Sequence, residues 1–99
     1  MKELFEITDI FHLPKFGVII SGNGPPCDIA TKESVKQSIS SKVLIKFLSG
    51  KEEVYQVKSK DACFPCFSSD PHWGILIFLG FDVELSSIER GAIVYAIED

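Results

Sequence analysis

Residues 73–81 read Trp-Gly-Ile-Leu-Ile-Phe-Leu-Gly-Phe, which is the longest apolar run of the chain. Its length is about half of the roughly 20 residues that a membrane-spanning helix needs. Its β-branched and aromatic content is typical of a strand. A second run, Phe16-Gly17-Val18-Ile19-Ile20-Ser21, is continuous enough to be buried on both faces. The two runs predict buried strands.

Shorter segments around these runs also have the period of strands rather than helices. They are Leu4–Phe11, Val43–Leu48, Glu53–Lys58 and Ala92–Ile97. In the first of them, Phe5, Ile7 and Phe11 fall on one side. Because no long helix is evident, we expect one all-β domain over residues 1–99. Its predicted form is a small closed antiparallel barrel of six or seven strands with Greek-key-like connections.

Glycine and proline mark the connections between these strands. The run Gly22–Pro26 predicts a turn, and Ser49–Lys51 predicts a second one. Residues 27–41 are polar, and within them Glu33–Ile39 is compatible with a short strand or a loop. Leu85–Arg90 is the only segment that predicts a helical turn, which Gly91 ends with a positive φ.

Charge is distributed unevenly along a chain whose formal net charge is −4. Residues 32–60 contain seven lysines and three glutamates, whereas acidic residues dominate the rest. Lys42, Lys46 and Lys58 are therefore candidates for contacts with RNA phosphates. The alternative is that these lysines coat the solvent face and edges of strands. An overall acidic chain favours the second interpretation.

The sequence Cys63-Phe64-Pro65-Cys66 is the one motif with metal or redox potential. Two cysteines at this spacing supply half of a tetrahedral zinc site, with Cys27 and His72 as the nearest possible completing ligands. A redox pair is the second interpretation, and ordinary loop thiols are the third and favoured one. We therefore expect no cofactor and retain Cys63 and Cys66 only as weak metal candidates.

Aromatic residues offer a candidate binding surface. Phe64, Phe67, Trp73 and Phe78 are compatible with a platform on which a base or a peptide stacks, or with packing in the core and loops. No serine or cysteine nucleophile can be paired with a histidine from spacing alone, so the chain is not expected to be an enzyme. The acidic N-terminal segment does not resemble a signal peptide, which predicts a cytoplasmic location.

Two segments resemble the second domain of elongation factor Tu and its relatives among the translational GTPases. The segments are residues 4–22 and 73–96, so the resemblance spans most of the chain in order. Its landmarks are Asp9-Ile10-Phe11, Gly17, Ser21-Gly22, Gly74, Gly80 and the turn Ile88-Glu89-Arg90-Gly91. The resemblance implies the antiparallel barrel of translation proteins. In that family the barrel helps to hold the aminoacyl end of tRNA.

The turn at residues 88–91 can also be interpreted from its own residues. Ile88 is a candidate plug for one end of the barrel, and Gly91 supplies the backbone geometry that the turn needs. Glu89 and Arg90 are expected to pair across the turn or to cap it, although an exposed pair contributes only about 0–1 kcal/mol.

The sequence lacks the nucleotide-binding loop of the translational GTPases that it resembles. No Gly-x-x-x-x-Gly-Lys-Ser/Thr loop is present, so no nucleotide is expected as a ligand. We expect a non-catalytic, stand-alone binding module that contacts a protein, either by competing with the elongation factor domain or as a small protector protein. The alternative is a mini-factor that binds tRNA or ribosomal RNA. No membrane partner is expected.

Overall fold

The fold is described from a computed structural model, which covers residues 1–64 and 69–97. Its eight strands are β1 (Lys2–Glu6), β2 (Asp9–Leu13), β3 (Gly17–Pro26), β4 (Lys42–Lys46), β5 (Glu52–Gln56), β6 (Ser59–Cys63), β7 (His72–Gly80) and β8 (Ile93–Ala96). One α-helix, α1 (Lys32–Ser38), and a 3-10 helix at Leu85–Ser87 complete the described elements.

The strands form two four-stranded antiparallel sheets. The first sheet has the order β1-β8-β4-β5, and the second has the order β2-β3-β7-β6. The predicted all-β, antiparallel character is therefore confirmed. The predicted single closed barrel of six or seven strands is not what the described ladders form, because they give eight strands in two separate sheets.

Two crossings from one sheet to the other account for the difference. The first divides the predicted strand Leu4–Phe11 into β1 and β2, and the second separates β5 from β6, a strand that the sequence did not predict. The first crossing lies at Ile7 and Thr8, whose amides donate to Ala92 O at 2.8 Å and to Ser21 O at 2.9 Å. The second lies at Val57 and Lys58, between β5 and β6. The amide of Lys58 donates to the Phe78 carbonyl of the second sheet at 2.8 Å. Each crossing ends one short strand and begins the next in the other sheet.

The core lies between the inner faces of the two sheets. Isoleucine and valine dominate it, and Ile7, Ile20, Ile45, Ile77 and Val94 are each at most 1% exposed. Ile88 is 5% exposed and belongs to the same cluster. Ile88 is thus buried between the sheets, whereas its predicted role as a plug for one end of a barrel stays a prediction.

Helix α1 corrects the prediction of a strand or loop at Glu33–Ile39. Thr31 and Ser34 form a capping box: the Thr31 hydroxyl accepts from the Ser34 amide, and the Ser34 hydroxyl accepts from the Thr31 amide. These bonds satisfy amides that the first helical turn leaves without partners. Val35 and Ile39, four positions apart, are 2% and 1% exposed. The helix is therefore held by two apolar anchors in an otherwise polar segment.

The predicted turn at Gly22–Pro26 is also wrong, because these residues continue β3. A Cβ on Gly22 would lie 2.3 Å from the carbonyl oxygen of Glu6. Glycine at this position thus permits close contact between β3 and β1 rather than a reversal of the chain. The turns at Ser49–Lys51 and before Gly91 are confirmed, with Gly50 at φ +92° and Gly91 at φ +91°. Within the described residues, none of the helices has the length and apolarity to cross a bilayer.

Candidate functional site

The outer surface of the second sheet carries an apolar cluster, which we call the aromatic face. Its members are Phe11, Leu13, Ile19 and Phe78 on the sheet, Phe16 in the turn between β2 and β3, and Phe81, which follows β7 at the end of the sheet and contacts His12. Side chains alternate between the two faces of a strand. Because Ile20 and Ile77 point into the core, their neighbours Ile19 and Phe78 point outward.

Strand register brings three of these residues into one row. Phe11 of β2 lies opposite Ile19 of β3, and Ile19 lies opposite Phe78 of β7. Ile19 is only 4% exposed although it does not belong to the central core cluster. Neighbouring side chains on the outer surface of the sheet therefore cover Ile19. The aromatic face is thus a second, smaller apolar cluster, separate from the core.

The remaining members leave large apolar areas in contact with solvent. Phe11 is 45% exposed, Leu13 43% and Phe16 52%, and Phe81 reaches 63%. Single exposed apolar residues are common on protein surfaces, whereas a contiguous group marks an interaction site. Four such side chains on one end of one sheet form a group of this kind.

Ring contacts fix the aromatic side chains in defined orientations. The Phe16 and Phe78 rings meet edge to face with centroids 5.4 Å apart. The imidazole of His12 meets the Phe81 ring in the same manner at 6.2 Å. Such pairs favour one geometry over others. The exposed rings of Phe16 and Phe81 thus each have an aromatic neighbour before any partner binds.

A groove of about 370 Å³ opens at the end of the aromatic face. It is lined by Lys15, Phe16, Lys58, Ser59, Phe78, Gly80, Phe81 and Asp82. Gly17 and Gly80 shape the groove, because a Cβ on Gly17 would lie 2.3 Å from the carbonyl carbon of Gly80. The two glycines, with φ values of +75° and +86°, thus permit β3 and β7 to approach closely beside it.

Two lysines give the groove a positive rim. The Lys58 Nζ lies 3.5 Å from an Asp82 carboxylate oxygen, and 83% of the Asp82 side chain is exposed. Lys15, in the turn between β2 and β3, makes no ion pair within the described residues. An exposed ion pair contributes only about 0–1 kcal/mol, so Lys58 is readily available to another carboxylate.

The structure separates the three lysines that were predicted to contact RNA. Lys42 and Lys46 lie on the outer face of the first sheet, where Lys46 is opposite Glu52 and Lys42 is opposite Gln56. Lys58 belongs to the groove on the second sheet. The three side chains do not form one basic patch.

The predicted aromatic platform is also divided. Phe64 and Trp73 meet edge to face with centroids 5.5 Å apart, and Phe64 is 59% exposed. The indole of Trp73 donates to Ala30 O at 2.8 Å, which anchors the segment before α1. Phe78 lies at the opposite end of β7 and pairs with Phe16. Phe67 lies outside the described residues.

The cysteine motif is only partly described. Cys63 is exposed at the end of β6, and Cys66 lies outside the described residues. Cys27 follows β3, where desolvation raises the pKa of its thiol and the neighbouring Asp28 raises it further. A raised pKa lowers the fraction of reactive thiolate. Over residues 1–64 and 69–97, no three histidine, cysteine or acidic side chains gather as a metal site.

The turn motif at residues 88–91 makes a contact that the sequence did not predict. In place of a pair with Arg90, the Glu89 Oε1 accepts the Leu48 amide at 2.7 Å. This bond connects the β4–β5 turn to the turn before β8. Arg90 is exposed. Ile88, Glu89 and Gly91 thus have structural roles.

The residues that form the aromatic face were largely missed. Of its six members, only Phe78 was a predicted site residue. The available signal was the sequence Ile10-Phe11-His12-Leu13, in which large side chains occupy both faces of what became an edge strand. An edge strand with an exposed apolar side requires something to cover it.

Comparison of the chain with protein-family models, with curated protein sequences and with solved structures gave no match. The resemblance to the second domain of elongation factor Tu therefore stays a prediction.

Proposed function

We propose that this chain is a non-catalytic binding module that holds a protein partner against the aromatic face. The observation that carries the proposal is the row Phe11–Ile19–Phe78 with Phe16 and Phe81 beside it. Its exposed members lie outside the core, and two of them, Phe16 and Phe81, make ring contacts with neighbours. Aromatic side chains are enriched at the centres of protein interfaces and supply much of the binding energy there.

The chemistry of the face fits a protein better than a nucleic acid. Phenylalanine rings can stack on bases, but phenylalanine and leucine present no hydrogen-bonding group to a base edge or a phosphate, and leucine offers no stacking surface. Burying apolar surface contributes roughly 25 cal/mol for each Å². Covering several phenylalanine rings therefore contributes several kcal/mol to the binding free energy, before the entropy lost on association is subtracted. A partner that covers these rings gains affinity without any charged contact.

The finer fold assignment belongs to the same proposal. We infer that the two sheets together constitute a barrel of the translation-factor second-domain type. Two features support this inference: the chain passes between the sheets at Ile7–Thr8 and again at Val57–Lys58, and each passage is bridged by backbone hydrogen bonds. A domain of this shape would compete with the elongation factor domain for a protein partner, or act as a protector protein.

The translation-linked alternative is a mini-factor that binds tRNA or ribosomal RNA. The observation that favours it is that Lys42 and Lys46 share one outer face, although Glu52 lies on that face too. Such binding would weaken with salt and would be reduced when Lys42, Lys46 and Lys58 are replaced by glutamate. RNA affinity that does not respond to these replacements would remove the alternative.

A capture experiment with matched variants tests the leading proposal. The immobilised protein is exposed to lysate of its own cells, and retained proteins are quantified for wild type, for Phe11→Ser/Leu13→Ser and for Ile29→Ser/Val54→Ser. All four replaced residues are exposed, and only the first pair belongs to the aromatic face. We expect that one protein is retained by the wild type even after ribonuclease treatment. The retained amount of this protein should fall at least tenfold in Phe11→Ser/Leu13→Ser and stay unchanged in Ile29→Ser/Val54→Ser. Equal retention by both variants would contradict the proposal.

A further inference from the structure

We infer that the groove at the end of the aromatic face takes a large apolar side chain that is followed by a carboxylate in a segment of the protein partner. This inference rests on the proposed function, because it names the chemistry of the partner at that same face. The occupant is thus a segment that carries an aromatic or large aliphatic residue next to an acidic one.

The shape of the groove fits one large side chain. Its volume of about 370 Å³ lies at the small end of the range for ligand sites in proteins. Phe78 and Phe16 meet at 74° and provide apolar surface on two sides. Phe81, at 63% exposure, provides apolar surface at the rim. A phenyl or isobutyl group placed among these rings exchanges part of its contact with water for contact with apolar surface.

The charge of the groove determines which residue is favoured next to the apolar residue of the partner segment. Lys15 and Lys58 contribute two positive charges, and Asp82 contributes one negative charge, in a chain with a formal net charge of −4. The groove is therefore locally basic on an acidic protein. A carboxylate beside the apolar group is attracted to this rim, whereas an ammonium group is repelled.

The position of Lys58 is set by the fold rather than by Asp82 alone. Its amide donates to Phe78 O, and its Cγ would lie 3.1 Å from a Cβ on Gly80, so its aliphatic stem packs over the end of β7. A stem held in this way loses less conformational entropy when the ammonium group binds a carboxylate. Substitution by methionine retains a similar stem and removes only the charge.

The test uses three short peptides and heteronuclear NMR titration of the complete chain. The peptides are acetyl-Gly-Phe-Asp-Gly-amide, the same peptide with lysine in place of aspartate, and the same peptide with alanine in place of phenylalanine. We expect the first to shift the amide signals of Phe16, Lys58 and Phe81 with weak, saturable affinity. The lysine peptide should bind about two- to fivefold more weakly, as an exposed charge pair predicts. The alanine peptide should cause no saturable shift.

Two variants assign the charge preference to the groove. In Lys58→Met, the ratio between the affinities for the aspartate peptide and the lysine peptide should be smaller than in the wild type. Lys42→Met, the same change on the other sheet, should keep the wild-type preference. An unchanged spectrum away from the substituted residue shows that each variant is folded. Shifts outside the groove, equal affinity of wild type for the two peptides, or no saturable binding would each overturn the inference. If partner capture still depends on Phe11 and Leu13 in that event, the proposed function stands without it.

Discussion

The ring of Phe16 stands edge to face against the ring of Phe78, with centroids 5.4 Å apart and planes inclined by 74°. Phe16 comes from the turn between β2 and β3, whereas Phe78 belongs to β7. An aromatic pair of this geometry contributes about 0.5–1.5 kcal/mol beyond the area that it buries. The contact therefore holds an exposed ring in a fixed position, which lowers the entropic cost of binding a partner there.

The backbone beneath that pair depends on Gly17. Its φ of +75° disfavours any other residue, and a Cβ would collide with the backbone of Gly80 at 2.3 Å. We expect Gly17→Ala to lower the free energy of unfolding by about 2–5 kcal/mol, because backbone strain and overpacking both act. Chemical denaturation measures this loss.

Gly50→Ala is the matched control for Gly17→Ala. Gly50 also has a positive φ, of +92°, but no atom beyond its chain neighbours lies within 4 Å of the position that a Cβ would occupy. Its replacement should cost about 1–2 kcal/mol, from strain alone. Equal losses in the two variants would show that the approach of β3 to β7 is not as close as described.

The Glu89 carboxylate connects two turns that are distant in sequence. Replacing it by alanine removes the acceptor of the Leu48 amide, which lies 2.7 Å from Oε1. The expected loss of unfolding free energy is about 1 kcal/mol, because the bond is exposed to water. Glu84→Ala is the control, since the Glu84 side chain does not cap the 3-10 helix that follows it. A Glu89→Ala variant as stable as Glu84→Ala would remove the structural role assigned to Glu89.

Tyr55 provides a prediction about alkaline pH. Desolvation, which is the largest cause, and the hydrogen bond to Glu53 raise the pKa of its phenol to about 12. The phenol donates to Glu53 Oε2 over 2.7 Å. Because the folded pKa lies above the unfolded one, this stabilisation is complete below pH 10 and is lost as the pH rises through about 12.

Glu53→Gln should therefore lower the pKa of Tyr55, since the charge that opposes ionisation is gone. The tyrosinate absorbance of a Tyr95→Phe background reports Tyr55 alone, because the chain has two tyrosines. Glu52→Gln, one position earlier, is the control and should leave the titration unchanged. A Tyr55 titration that is identical in both variants would show that Glu53 does not affect the phenol.

Strands with strong apolar runs were predictable from the sequence. The runs at 16–21 and 73–81 became β3 and β7 because β-branched and aromatic residues without charges have few other stable arrangements. Helix α1 was missed because only Val35 and Ile39 mark its apolar side. The pair Thr31 and Ser34, three positions apart, was the available start signal.

The aromatic face was not predictable from strand periodicity. Alternation of residues gives the face on which a side chain lies but not which face packs against the core. The periodicity places Phe11 with Phe5 and Ile7, yet the crossing at Ile7–Thr8 changes the alternation, so that Ile10 packs inward and Phe11 faces solvent. The site depends on this change of sheet, which involves contacts between residues far apart in sequence.

Site-specific photo-crosslinking in living cells tests the central claim most directly. A photoreactive phenylalanine analogue is placed either at Phe11, on the aromatic face, or at Val54, which is similarly exposed on the outer face of the first sheet. We predict a crosslink to one defined protein from position 11 and none to that protein from position 54. Two results would contradict a partner bound at the aromatic face. One is a crosslink to the same protein with equal yield from positions 11 and 54, and the other is a crosslink to that protein from position 54 alone.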